Sequence, residues 1–156
     1  MITTLLTTIS LWFHTMATIM LIGHYQLLAL VYLPVFRQHF QGKALLDLLG
    51  EINGAARKRI YTALGMFAIT GVYLTLANEA YLGVGNFGNV WSALMLAKHI
   101  LIGLMIVLVV MFNNTVKAGA TGSEADPKVP ARLRLLLQGI LVSGMLVILL
   151  TAFAQA

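Results

Sequence analysis

Residues Leu11–Phe36, LWFHTMATIMLIGHYQLLALVYLPVF, run for 26 positions without a formal charge. At about 1.5 Å per residue this is roughly 39 Å of helix, against a bilayer hydrocarbon core of about 30 Å. The stretch therefore reads as a membrane-crossing helix. It also carries two histidines, His14 and His24, ten positions apart. Polar side chains inside a span are costly and usually face a bundle interior or a site. A helix with two imidazoles is thus the first functional clue.

Upstream, MITTLLTTIS has no Lys or Arg, and the apolar run behind it exceeds a signal-peptide core, so it reads as the start of helix one. Trp12 and Tyr32 are spaced to mark two interfaces, and Pro34 and Arg37 close the span, set at about 9–36. Downstream, Leu45, Leu46, Leu48, Leu49 and Ile52 give residues 40–56 one apolar side, as in a short helix lying in the interface plane. His39 sits here and reads as a solvated interfacial histidine. Three further spans follow at about 60–82, 91–113 and 132–154. A Gly- and Asn-rich loop, Gly83–Val90, joins the second to the third, and a polar connector with Pro127 and Pro130 joins the third to the fourth. Gly65, Gly71 and the Gly139–Ser143 pair read as packing positions.

Composition agrees. Of 156 residues, 60% are apolar and 10% charged, whereas soluble domains carry about 25% charged residues. The net charge of +5 does not point to nucleic acid, because the basic residues flank apolar runs. With no cysteine, disulfides, thiolate ligands and Cys redox chemistry are excluded. Arg37, Lys43, Arg57, Lys58 and Arg59 lie between spans one and two, and Lys117, Lys128, Arg132 and Arg134 between spans three and four. Nine of ten basic residues thus share one side, which the positive-inside rule makes cytoplasmic. The expectation is an all-α integral membrane four-helix bundle, multi-pass in the cytoplasmic (inner) membrane, with both termini outside.

The tenth basic residue, Lys98, lies seven positions inside Trp91, and no Asp or Glu sits within a span to neutralise it. It either snorkels outward or meets an anionic group such as a porphyrin propionate. Imidazole is a common haem and metal ligand, and helix bundles build cofactor sites from facing helices. A bis-histidine haem needs two ligands at one depth. Counted from Arg37 and Asn113, His24 is thirteen residues in and His99 fourteen, which favours the His24–His99 pair. His14–His99 is the alternative if helix one is tilted or shifted. A second pattern competes: Met16, Met20 and His24 recur every four positions, and thioether plus imidazole suits copper(I).

The run FHTMATIMLIGHYQLLALVYLP resembles the first helix of the copper-resistance D superfamily, in which a leading histidine precedes an apolar run ending in proline. RKRIYTALGMFAITGVYL resembles that family's second helix, with its basic entry and Thr-Gly step. WSALMLAKHILIGLMIVLVVMFNN resembles its third, with a lysine shortly after a tryptophan. The superfamily includes HemJ-type protoporphyrinogen oxidases, four-helix proteins whose first-helix histidine and third-helix lysine are associated with haem b. The resemblance implies that these roles fall on His14 and Lys98. It departs where the expected tryptophan is an apolar residue around Leu21, where a small residue is His24, and at His99, which has no counterpart.

The leading expectation is a membrane haem b protein, serving as an electron-transfer subunit or membrane anchor. Its partners would be the lipid bilayer and a redox subunit or quinone. The alternatives are a HemJ-like protoporphyrinogen oxidase, a copper(I) transport protein using Met16 and Met20, and a cofactor-free accessory subunit.

Overall fold

The computed structural model describes residues 2–86, 88–121 and 128–155, which leaves Phe87 and most of the connector before Pro130, Pro127 included, outside the description. The elements are α1 (Ile2–Leu27), a π-helical turn (Leu28–Tyr32), α2 (Leu33–His39), α3 (Gly42–Leu76), α4 (Val90–Thr121) and α5 (Val129–Gln155). The first three run on without a break from Ile2 to His39. Among the described residues there are four helical rods long and apolar enough to cross a membrane, and no strand.

Pro34 does not close the first rod. A proline lacks the N–H that would bond the carbonyl four residues back, and its ring crowds that carbonyl. Here the turn just upstream is widened, with Leu33 N–H donating to Leu28 O five residues back. This π turn absorbs the proline, and helix continues to His39. The chain then reverses within Phe40–Gln41, both outside helix, and Gly42 enters α3 at φ +54°, which a glycine adopts without a Cβ clash.

Residues 40–56 differ from the expected separate piece. From Gly42 they are the opening turns of one 35-residue helix, because nothing between Glu51 and Ile60 breaks it. Their apolar side is covered by protein: Leu45, Leu46 and Leu49 are buried with Tyr25, Phe112, Leu133 and Leu137. At its other end α3 stops at Leu76, short of residue 82, where Asn78 Oδ1 accepts the Ala80 N–H (2.9 Å) and turns the chain. Asn89 Oδ1 takes the Ser92 N–H (2.7 Å) and caps α4. Lys43 Nζ donates to Ala120 O (2.7 Å) at the far end of α4, satisfying a last-turn carbonyl.

Neighbouring rods are antiparallel, as Thr7–Tyr73, Asn53–Asn113 and Leu108–Gly139 show, so both described ends lie together, opposite the basic loops. Glycines receive large side chains. A Cβ on Gly119 would meet Leu46 Cδ1 at 2.9 Å, one on Gly139 would meet Leu108 Cδ1 at 3.0 Å, and one on Gly144 would meet Ile22 Cγ2 at 3.2 Å. Gly65 has open space around it and is no such seat.

The core is uneven along the bundle axis. The main buried cluster, from Ile22 through Leu33 with Leu45–Leu49, Met105–Val116 and Leu133–Ile140, lies in the half nearest the basic loops. A small second cluster of Ala17, Leu21, Ala63 and Phe67 sits at mid-height. Toward the termini, buried side chains thin out to Thr70, Ser92 and Val147.

Candidate functional site

The half with the thin core is where one histidine is held with care. His14 stacks on Phe67 of α3, with ring centroids 4.4 Å apart and planes 24° from parallel. Its Nδ1 lies 3.0 Å from Thr70 Oγ1. The Thr70 hydroxyl proton is already committed, since Oγ1 donates to Met66 O at 2.7 Å. Thr70 must therefore accept, and Nδ1 of a neutral His14 carries the proton. That tautomer leaves Nε2 as the ring's lone-pair nitrogen. One turn of helix thus fixes the ring's plane, rotation and tautomer.

Lys98 is the cation of this region. It is half-buried on α4, and its charge acts on the His14 ring. Among the described residues the one ion pair is Lys43–Asp47, far from it, so Lys98 has no carboxylate partner. Ser92, one turn and a half before Lys98, is buried with its Oγ unpartnered. Closer to the termini, Thr7 Oγ1 and Tyr73 OH lie 3.3 Å apart. The inner face of this half is thus polar, with His14, Thr70, Tyr73, Ser92 and Lys98.

The His24–His99 pair is not brought together. His99 is exposed on the outside of α4, with Nδ1 2.6 Å from Met95 O of its own helix. The reason is angular: adjacent helical residues point about 100° apart, so with Lys98 turned inward His99 is turned away. His24 occupies a different place. It lies beside the Asn53 amide and meets Tyr25 edge-on at 4.9 Å, with its Nε2 buried and unpartnered among the described residues. Around it, Asn53 Nδ2 donates to Asn113 Oδ1 (3.0 Å), joining α3 to α4, and Tyr25 packs edge-on to Phe112. The count of depth along each helix ignored the direction around it.

The expected Met16–Met20–His24 face also divides. Each step of four residues drifts about 40° around a helix, so the series turns about 80° from end to end. Met16 and Met20 face outward into an apolar groove between α1 and α3, shared with Met66, while His24 turns to Asn53. His39 is exposed at the end of α2, as its position predicts. Among the described residues no three of His, Cys, Asp and Glu converge.

Thr70, Gly71, Phe67, Asn53 and Asn113 were not singled out as site residues by the sequence reading. The Thr70–Gly71 step did carry a signal, as part of the family resemblance. Asn53 and Asn113 flank apolar runs and read only as run endings. Comparison with known protein families, curated proteins and solved structures finds no match for this chain.

Proposed function

We propose that this is a membrane-integral b-type haem protein, crossing the cytoplasmic membrane four times with its basic loops inside, and acting as an electron-transfer subunit or membrane anchor of a redox complex. The observation that carries the reading is the His14–Thr70 bond. It holds the imidazole in the tautomer whose Nε2 is free to bind iron, and second-sphere bonds of this kind orient haem and metal histidines generally. Lys98, a half-buried cation with no carboxylate partner among the described residues, suits a propionate. Bound haem would supply one-electron chemistry. The chain's own residues would orient it through His14, neutralise its acid group through Lys98, and keep water out with Phe67 and the surrounding apolar helices.

Reduced-minus-oxidised spectra of detergent-purified protein, expressed with haem supplied, test this. A Soret band and a reduced visible band that His14→Ala abolishes and His99→Ala retains are the expected result. A featureless spectrum, or full haem content in the His14 variant, overturns it.

A second reading, oxidation of a porphyrinogen, has one specific support. His14 and Lys98, the two residues to which the family resemblance points, share the same region. It predicts turnover of an added porphyrinogen that both His14→Ala and Lys98→Ala abolish.

A further inference from the structure

At the basic end of the bundle, remote from His14, α3 and α4 part around a cavity of about 340 Å³. Its walls include Asn53, Arg57 and Tyr61 of α3 and Asn113, Asn114 and Lys117 of α4. Gly50 and Gly54, one turn apart on α3, also line it, and a Cβ on Gly54 would have nothing within 4 Å. The missing side chain at Gly54 thus leaves space, whereas Gly50 packs close to Ala120. At this size it suits a small ligand, near the lower end of the roughly 300–1,000 Å³ typical of binding pockets.

The lining chemistry is one-sided. Arg57 offers a planar fork of N–H donors and Lys117 three more, one from each helix. Arg57 leans toward the Tyr61 ring, 5.8 Å from its centroid, and makes no ion pair among the described residues. Two of the acceptors in the lining are already engaged. Asn113 Oδ1 takes the Asn53 amide, and Asp47, the carboxylate on the wall, pairs with Lys43 Nζ at 3.3 Å. What remains is a cavity with two cations on its walls, one on each helix, and the one carboxylate on the wall paired with Lys43.

We propose that this cavity binds a phosphate-bearing anion, with Arg57 and Lys117 gripping the phosphate from opposite helices and Asn114 adding an amide donor. A guanidinium and an ammonium group lining one cavity match an oxyanion with several acceptor oxygens. The cavity lies where the apolar runs end, at Asn113–Asn114 and beside the basic Arg57–Arg59 run, which a soluble phosphate ester reaches from water and a phospholipid headgroup reaches from the bilayer surface. The proposal does not depend on haem.

The test uses the full chain in detergent and in nanodiscs. Inorganic phosphate and glycerol phosphate are titrated calorimetrically at constant ionic strength set by chloride, which removes general screening. Nanodiscs of phosphatidylcholine with and without phosphatidic acid supply the lipid arm, read by native mass spectrometry and thermal unfolding. Binding of the soluble probes identifies a free ester, and selective retention of phosphatidic acid identifies a headgroup; either supports the site. Arg57→Gln and Lys117→Gln are each expected to weaken binding roughly tenfold or more, as loss of a charge-assisted contact does. Gly54→Leu keeps both charges but fills the cavity, and is expected to abolish binding with the helical signal retained. No response in either arm, or equal binding by Arg57→Gln and Gly54→Leu proteins, overturns the proposal.

Discussion

A Cβ placed on Gly71 would lie 3.2 Å from Cε1 and 3.6 Å from Nδ1 of His14, so the imidazole rests directly on the backbone of α3. Gly71→Ala pushes the ring by a few tenths of an ångström while removing a weak helix former. The propensity gain of about 1 kcal/mol offsets the crowding, so thermal stability is expected to stay within about 1 kcal/mol of the parent. Haem content, measured by the Soret band, is expected to fall. An unchanged band would show that the ring's seat does not matter.

Thr70 is tested by a pair of variants. Thr70→Val keeps the shape but removes the acceptor for Nδ1–H, at a cost of about 1 kcal/mol in unfolding free energy. With haem bound at Nε2, that hydrogen bond would make the imidazole a stronger donor to iron and so favour the oxidised form. The midpoint potential should therefore rise in Thr70→Val and stay near the parent in Thr70→Ser. Spectroelectrochemical titration of the three proteins decides it.

His99→Ala is expected to leave the spectrum unchanged and to shift stability by no more than about 0.5 kcal/mol, as outward-facing substitutions do. Its imidazole is exposed and bonded to its own helix through Met95 O. Loss of the Soret band in this variant alone would instead restore His99 as a ligand.

The Asn53–Asn113 bond joins α3 and α4 near the basic loops. Either Asn→Leu substitution leaves a half-buried amide without its partner, at a cost of about 1–3 kcal/mol. The double variant removes both amides and should recover a substantial part of that loss. A double-mutant cycle in thermal or denaturant unfolding measures the coupling, and additive losses would contradict it.

Phe112 is fully buried among Tyr25 and its neighbours, whereas Phe153 is 61% exposed near the described end of α5. Phe112→Ala should cost about 3–5 kcal/mol. Phe153→Ala should cost much less, and comparable losses in unfolding experiments would refute the uneven core.

The four rods were legible in the chain because long apolar runs and their basic borders announce themselves. Their detail was less so. Pro34 reads locally as a stop, yet a π turn upstream lets the helix pass it, and nothing in LALVY signals that turn. Residues 40–56 show the amphipathic pattern of an interfacial helix, but the same leucines serve equally as the inner face of a longer rod. For the candidate site, depth could be counted and direction could not. Lys98 and His99 are adjacent and point about 100° apart, and the apolar stretch around them does not say which of them faces inward. The placement of His14 depends on Thr70, fifty-six positions away, and such a pairing is invisible to local pattern.

The concentration of buried side chains near the basic loops divides the molecule's tolerance to change. The half built around Phe112, Leu46 and Leu137 acts as an anchor, in which most of the fully buried large side chains are gathered. The half that holds His14 and Lys98 carries little of that burden. Its residues are thus freer to vary one at a time without unfolding the whole, and a new ligand set could arise there on an intact scaffold.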